Sequence, residues 1–510
     1  MTIETFWWWT EEQKDLAKRV DQFVDDHIEE AESYLWKKEL PFPLLKKIGA
    51  EGYFGSAIPK AYGGQELGAT GTAIVCEQMA RLPVVGTLFG GSTFGGLHQL
   101  LKHGTEEQKQ KWLTKMASGE SIGAITITEP FAGSDAANVM TTAVREGDDW
   151  IINGKKRFIT GGGIADRYLM YAKTSKDPED RKNYSHITTF ILEKGTPGFS
   201  LEKINLLIGA DMVPNAYLSL DDAIIPDKNR IGPVGKGWNV MMAGLNFERT
   251  MSAALTMGGM LDTIRLLFHY TTRRIQFNKT TSRLQGIQNE IADIIANYKL
   301  ARSFVYNLAK QVDDGQEPAI EASIAKNFVT EAVRDMGLRA VQVMGGDGLT
   351  RFYPAESIIR GAKIGEIAAG TTEINKMITY RFASRMDLYT KPVRFQWNEE
   401  VNAPVRSLKE SKFKGLELNE ENILKVIAHN YKIHPGLYMT PDDVRYEIGG
   451  SRGTILEIFN ALAEKELLVT HHDRAGKISL VKATYDGLRK AFPKEYYRWF
   501  PDWYPDSEKF

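Results

Sequence analysis

Residues 121–135 read SIGAITITEPFAGSD, and here the chain changes period. Ile125-Thr126-Ile127-Thr128 alternates apolar and polar residues, the two-residue period of a strand with one buried face. Upstream the spacing is helical. Thr10-Glu11-Glu12 opens a segment with Leu16, Val20 and Phe23 on one face, and Thr105-Glu106-Glu107 opens another with Trp112, Leu113 and Met116. Downstream, short strand-like runs follow at 141–144, 150–152, 157–160, 168–172 and 187–192. Asn153-Gly154 reads as a hairpin turn between two of them, because both central positions of such a turn need positive φ. A compact β domain is expected over 123–236. Helical text returns at 238–276, 285–312, 318–343 and 371–385, the pattern of a four-helix bundle.

The expected fold is therefore multidomain α+β. An N-terminal helical domain covers 1–122, a β-barrel domain 123–236, a four-helix bundle 237–388, and an extension 389–510. In the extension, 391–414 reads as a linker and 419–430 as a helix. Thr440-Pro441-Asp442-Asp443 starts a second helix with a capping box, and Gly449-Gly450 ends it. A third helix spans 453–468. Strands at 469–470 and 478–481 flank a turn with Ala475-Gly476. Three helices and a two-stranded ribbon resemble a winged helix. The aromatic tail from Tyr496 to Tyr504 is expected to dock on a neighbouring surface.

At 510 residues, with domains of roughly 150 residues, three to four domains are expected. Lys+Arg is 64 against Asp+Glu 65, a net charge of −1, which argues against a polyanion as main partner. The single cysteine, Cys76, can make neither an internal disulfide nor a cysteine metal cluster. The nine histidines show no metal-ligand spacing, so no metal site is expected. No secretory signal stands at the N-terminus, and a cytoplasmic protein is the default. The uncharged stretch 82–101 is interrupted by Gly86, Gly90, Gly91, Gly95 and Gly96, too many to read as a membrane span. Neither a P-loop nor a dinucleotide glycine pattern occurs. Gly161-Gly162-Gly163 and Gly345-Gly346-Asp347-Gly348 lack the required spacing.

Five pieces stand in a fixed order. They are Thr128-Glu129-Pro130-Phe131-Ala132-Gly133-Ser134-Asp135; Gly232 to Trp238 with Asn246-Phe247-Glu248-Arg249; Arg274 to Lys279; Gln342 to Gly348; and Gly370-Thr371-Thr372-Glu373. In this order, on a helix–β–helix plan, they resemble the acyl-CoA dehydrogenase flavoprotein family over about residues 10–388. The resemblance implies FAD as cofactor, α,β-dehydrogenation of an acyl-CoA thioester to the trans-2-enoyl-CoA, and a place in fatty acid β-oxidation. It also implies an electron-transfer flavoprotein as acceptor and a homotetramer built as a dimer of dimers.

Carried over by residue, the resemblance places Ile125, Ile127, Thr128 and Ser134 along the isoalloxazine ring and pyrophosphate, with Ser134 also touching substrate. Phe158 falls near the flavin face and Thr160 at the ring edge. Arg274, Phe277 and Gln285 fall where the neighbouring subunit's cofactor is held. Gln342, Gly345 and Gly346 match the loop beside its adenosine half, and Thr371 and Glu373 lie near the phosphate and ribityl region. A flavin independently needs backbone and hydroxyl donors, an arginine and an aromatic wall.

In many relatives the base that removes the α proton is a glutamate just before the Gly-Thr pair. Here that position is Ala369, which cannot take a proton. In the isovaleryl-CoA and long-chain branches the base lies on the helix after the β domain, in a Leu-Glu-Arg type run; Phe247-Glu248-Arg249 stands there. Glu248 is therefore the expected base, with Glu366 and Glu373 in reserve. The backbone N–H of Ala369 is expected as one oxyanion donor, and Arg249 as a contact to the pantetheine or phosphate side of CoA. Ala368 and Ala369 replace a bulkier pair, and Gly91 and Gly95 lie where the acyl end is lined, so a branched, cyclic or bulky acyl group is expected. The competing reading is that these glycines let helices pack closely.

Residues 391–510 carry 19 Lys+Arg and 18 Asp+Glu, a net of +1, and the third helix of the extension is acidic. A protein-contact role is preferred there over DNA binding. Two alternatives stay open: a flavin oxidase or monooxygenase on the same fold, and a non-catalytic relative whose extension binds nucleic acid.

Overall fold

The computed structural model describes residues 4–209, 212–390, 393, 395–398, 403–407 and 409–492. The chain divides into two compact units, Met1–Ser384 and Arg385–Phe510.

The first unit begins with six helices: α1 (Glu11–Lys37), α2 (Phe42–Ala50), α3 (Gly68–Met79), α4 (Val85–Phe94), α5 (Leu97–His103) and α6 (Glu106–Ala117). Helices α1 and α6 start at capping boxes, Thr10 with Gln13 and Thr105 with Gln108, which satisfy backbone N–H groups that no helical carbonyl reaches. The glycine-rich stretch 82–101 forms α4 and α5 with a break at Gly95-Gly96. No helix among the described residues is long and apolar enough to cross a membrane.

Eight strands follow: β1 (Gly123–Thr126), β2 (Thr142–Glu146), β3 (Asp149–Thr160), β4 (Arg167–Lys173), β5 (Ile187–Glu193), β6 (Phe199–Ile204), β7 (Asn215–Pro226) and β8 (Arg230–Ile231), with a short helix α7 (Pro178–Lys182) between β4 and β5. The sheet order is β6-β7-β3-β2-β4-β5-β8, with β1 parallel to β4. The two halves of this path meet at one pair, Thr142 opposite Lys173. The sheet therefore folds over, and Trp150 meets Phe190 at 5.3 Å and Tyr168 meets Phe199 at 4.9 Å between ring centroids. Trp150, Tyr168 and Phe190 belong to one buried cluster, and Phe199 packs against it. Among the described residues β6 and β8 do not pair, so the expected barrel is an open, folded sheet.

Asn153-Gly154 is not a hairpin. Strand β3 runs straight through it with a register shift opposite β7, and a Cβ on Gly154 would lie 2.4 Å from Thr141 Oγ1. The glycine serves close approach at a bulge. The β2–β3 hairpin turns instead at Gly147-Asp148, where Gly147 has φ +60°.

The helices after the sheet are α8 (Gly237–Met242), α9 (Leu245–Thr271), α10 (Gln285–Asp313), α11 (Ala319–Met344), α12 (Ala355–Ile367) and α13 (Thr372–Ala383), with a small hairpin of β9 (Ile275–Gln276) and β10 (Lys279–Thr280) between α9 and α10. The expected first helix is broken at Ala243-Gly244. The four-helix reading also missed α12, whose thin apolar stripe buries little beyond Ala355, Ala362 and Glu366. Helix α11 lies in the middle and packs against α9, α10, α12 and α13.

The second unit contains α14 (Asp387–Thr390), a hairpin of β11 (Phe395–Asn398) and β12 (Ala403–Arg406), then α15 (Glu420–Ile433), α16 (Pro441–Ile448), α17 (Arg452–Glu464), the ribbon β13 (Leu468–His472) and β14 (Ile478–Ala483), and α18 (Tyr485–Ala491). Its own core gathers Ile423, Ile427, Val444, Phe459, Leu462 and Val481. The aromatic tail 496–504 lies outside the described residues.

One ion pair fastens the start of the TEPFAGSD segment. Lys156 Nζ and Glu129 Oε1 are 2.7 Å apart, with both side chains 1% exposed, and Lys156 also donates to the Tyr171 carbonyl at 2.7 Å. Burial pulls the Lys156 ammonium below its ordinary range while Glu129 opposes the shift. Removing one partner strands a buried charge. Lys156→Met should cost about 3–5 kcal/mol in urea unfolding, and adding Glu129→Leu should recover little of it, because the Glu129 carboxylate also accepts from the Met140 and Thr141 backbone N–H groups.

Candidate active site

Three carboxylates compete for the role of base, and their surroundings separate them. Glu248 lies in the first turn of α9 and accepts a hydrogen bond from Gln99 Nε2 of α5 at 3.1 Å. Burial raises its pKa to about 7, against the lowering influence of the Gln99 bond and the Arg249 charge. Glu366 of α12 is 5% exposed and pairs with two cations, Arg334 and Lys363 Nζ, the latter at 2.6 Å. Glu373 of α13 is exposed, and its carboxyl is held below the usual range by its own backbone N–H and the Thr371 hydroxyl. By solvent exposure Glu248 is half-buried and Glu366 more covered, but Glu248 carries no ion pair on its carboxylate among the described residues and desolvation raises its pKa, the condition for a carboxylate base.

The turn between α12 and α13 carries Ala368, Ala369 and Gly370. Ala369 has φ +54° and Gly370 φ +91°, so two successive residues are left-handed. Alanine there is strained by its Cβ, and something must hold the turn. Lys326 of α11 does so, with its Nζ donating to the carbonyls of Glu366 and Gly370, each at 2.9 Å. Asn375 Nδ2 donates to the Gly370 carbonyl at 3.0 Å, and Asn327 Nδ2 to that of Thr372 at 3.0 Å. Lys326 is fully buried. Its pKa falls to about 8, first through burial and then through the nearby Arg249 charge, with Glu366 opposing. Arg249 is 6% exposed, so it is covered, as Lys326 is, beside the half-buried Glu248.

Strand β3 bulges again at Arg157-Phe158, where Phe158 has φ +58° and is 46% exposed. The Arg157 guanidinium lies 4.3 Å over its ring, and the Arg157 N–H donates to the Thr128 carbonyl at 2.8 Å. The bulge thus presents an aromatic face beside Thr128. Ile125 points at Gly95, 3.6 Å from where a Cβ would be, and Ile127 is half-buried just beyond β1. Ser134 is exposed, and a Cβ on neighbouring Gly133 would meet nothing within 4 Å. A small cleft brings Thr160 and Gly161 together with Thr87, Leu88 and Gly91 of α4.

Gly91 opens onto free space. Gly95 does not: a Cβ there would lie 2.4 Å from the Gly91 carbonyl, and one on Gly90 2.6 Å from Leu255 Cδ1. Close packing against α9 accounts for Gly90, the turn that ends α4 for Gly95, and open volume for Gly91. The fully buried Arg167 caps this end of α4, donating to the carbonyls of Gly95 at 2.7 Å and Ser92 at 3.2 Å.

Arg274, Phe277, Gln285, Gln342, Gly345 and Gly346 do not join this group. Glu248 starts α9 and Arg274 follows its end, a separation of roughly 40 Å at helical rise, far more than one dinucleotide spans. At that end Phe277 is 86% exposed with φ +51°, at the tip of the β9–β10 hairpin. Gln285 begins α10, and Gly345 and Gly346 have open space around them. An aromatic held in a strained conformation with no cover from its own chain is built to meet something outside it. Exposed aromatic faces, open glycine backbones and the threonine-capped N-terminus of α13 are what a flavin dinucleotide requires.

Sequence reasoning missed Gln99, His98, Tyr171 and Lys326. Lys326 sits on the same stripe of α11 as the buried Ala322, Val329 and Val333, and a lysine inside an apolar stripe is a readable signal. Gln99 is a polar residue amid the uncharged text of 82–101. His98 packs on Phe247 at 4.3 Å between ring centroids, and burial lowers its pKa to about 4. The Tyr171 hydroxyl is buried with no hydrogen-bond partner among the described residues, and burial and Glu248 push its pKa well up.

Family models match three consecutive stretches: "Acyl-CoA dehydrogenase, N-terminal domain" over 10–120, "middle domain" over 124–223 and "C-terminal domain" over 235–383. An acyl-CoA dehydrogenase of Bacillus subtilis (strain 168) is 35% identical over 375 residues, covering 73% of this chain and 98% of that protein. The butyryl-CoA dehydrogenase of Megasphaera elsdenii superimposes with a TM-score of 0.70 at 30% identity, over 76% of this chain and all of the other. A structure of PigA with FAD and proline superimposes with a TM-score of 0.70 at 27% identity, over 74% of this chain and 99% of the other.

The elevated pKa of Glu248 has a consequence for stability. The folded state holds this proton more tightly than the unfolded chain, so stability contributed by the neutral form is lost as pH rises from 4.5 through about 7. Glu248→Gln lacks this loss. Compared by urea unfolding at about pH 5 and about pH 8, the variant should gain on wild type by up to roughly 3 kcal/mol at the higher pH.

Proposed function

Because the chain belongs to the acyl-CoA dehydrogenase family, with FAD as cofactor and acyl-CoA as substrate, we propose that it dehydrogenates a branched, cyclic or bulky acyl-CoA to the trans-2-enoyl-CoA with Glu248 as base. The observation that carries this reading is the contrast between position 369, an alanine, and Glu248, a half-buried carboxylate held by the Gln99 amide whose pKa is raised to about 7.

Glu248 takes the α proton of the thioester. That proton is a weak acid, so the developing negative charge on the carbonyl oxygen needs fixed donors. The backbone N–H of Ala369 supplies one, in the turn held by Lys326. Arg249 and Lys326 add positive charge in an interior where charges are weakly screened. Because Arg249 is buried, it faces the pantetheine arm rather than the exposed phosphates of CoA. Bound FAD supplies a two-electron acceptor for the β hydrogen and its electron pair. Thr128, Ser134, Phe158, Thr160, Thr371 and Glu373 hold one end of the cofactor, while Arg274, Phe277, Gln285, Gln342, Gly345 and Gly346 serve a neighbouring copy within a homotetramer. Electrons leave to an electron-transfer flavoprotein, in a cytoplasmic β-oxidation type of pathway. The C-terminal unit, read as winged-helix-like, makes protein contacts.

Anaerobic mixing with acyl-CoA substrates tests the base directly. Glu248→Gln should slow flavin bleaching by about 10²–10⁴-fold, whereas Glu366→Gln and Glu373→Gln should stay within roughly tenfold of wild type. Wild-type retention in Glu248→Gln would remove Glu248 from the mechanism. A thioester panel tests the acyl group: branched or cyclic thioesters should bleach the flavin at least about tenfold faster than butyryl-CoA, and a preference for butyryl-CoA would reverse the assignment.

A further inference from the structure

Gln99 is 2% exposed, and a buried carboxamide is costly unless its polar atoms are used. Its Nε2 makes one side-chain hydrogen bond, to Glu248 Oε1 at 3.1 Å, and its Oε1 has no partner among the described residues. No other group therefore dictates where this amide points. The opposite wall is Gly244, just before α9. A Cβ there would lie 3.0 Å from Glu248 Oε1, 3.1 Å from Gln99 Nε2 and 3.1 Å from His98 Cβ. Three side chains thus converge on the space a side chain at 244 would take. Glu248 Oε2 has no hydrogen-bond partner among the described residues.

We propose that Gln99 is the positioning residue of the base, clamping one oxygen of the Glu248 carboxylate in a slot that Gly244 leaves clear, so that the other oxygen faces the α proton. This rests on the reading of Glu248 as base. A donor to the carboxylate also stabilises its charged form, so the clamp sets the pH at which the base is ready. Other groups act on the same carboxylate. Arg249 on its own helix favours ionisation, and the Arg249 charge is also felt by Lys326 of α11. Tyr171 of β4 approaches as a neutral hydroxyl, and His98 of α5 stays uncharged at neutral pH. Neither of these last two replaces the amide as a donor to Oε1 among the described residues.

The test uses the FAD-loaded protein and an acyl-CoA active on wild type, with anaerobic flavin reduction followed from about pH 5.5 to 9. Gln99→Leu removes the donor. Gln99→Asn keeps a buried amide but withdraws it by one methylene. Both should move the acidic limb of the rate up by about one pH unit, a loss of about tenfold at the acid end, while the alkaline plateau and KM change little. Gln99→Glu places a second carboxylate beside the first and should move the limb further up. If Gln99→Asn keeps the wild-type limb, or if either neutral variant loses rate equally at all pH values, the clamp is overturned and Gln99 is packing alone. Glu248→Gln separates the two readings. If it abolishes reduction while the Gln99 variants keep the wild-type limb, the base stands and the clamp falls; if it retains the wild-type limb, the base reading itself falls. Should Gln99→Leu fail to fold, Gln99→Asn and Gly244→Ala carry the test, and Gly244→Ala, which crowds the same oxygen, should also displace the limb.

Discussion

A carboxylate withdrawn from water must find donors or take up a proton. Glu248 stands between these outcomes, with one amide donor and a pKa raised to about 7. Much of the local architecture follows from placing that carboxylate there. Helix α9 breaks from α8 at Gly244, the one residue type that leaves room for the carboxylate. The α4–α5 break at Gly95-Gly96 sets α5, with its glutamine, against the start of α9. Strand β4, fixed by the Lys156–Glu129 pair through the Tyr171 carbonyl, brings a tyrosine to the same place.

Positive charge is distributed with similar care. Lys326, Arg249 and Arg167 are all buried, and Lys326 and Arg167 direct their donors at backbone carbonyls rather than carboxylates. A cation bonded to carbonyls keeps its full charge in the interior, available to an anion that arrives later, whereas an ion pair would cancel it. The same bonds fix two irregular pieces of chain, the left-handed Ala369-Gly370 turn and the end of α4. Charge and shape are thus set by the same side chains.

The sequence made the gross plan legible because its periods are strong. The change at 121–128 marks the onset of the sheet, and the helical stripes of α1, α6, α10 and α11 are plain. The errors have physical reasons. Asn153-Gly154 has the composition of a turn, but its glycine is needed for contact with Thr141, a demand from a distant residue that local text does not carry. Helix α12 was missed because little of it is buried. The reading of Glu248 as base starts from the empty position at 369, whereas its amide partner comes from 149 residues away and leaves no local mark. Gly91 and Gly95 look alike in sequence; only the packing tells open volume from close approach.

The turn at Ala369 has a further meaning on the proposed reading. When proton acceptor and oxyanion donor occupy adjacent residues, any change of side chain there disturbs both bond breaking and chamber size. Here the donor is a main-chain N–H, and the acceptor belongs to another helix. Residue 369 can then vary in bulk while the acid–base chemistry stays fixed, so acyl selectivity and reactivity become separately adjustable traits of this lineage.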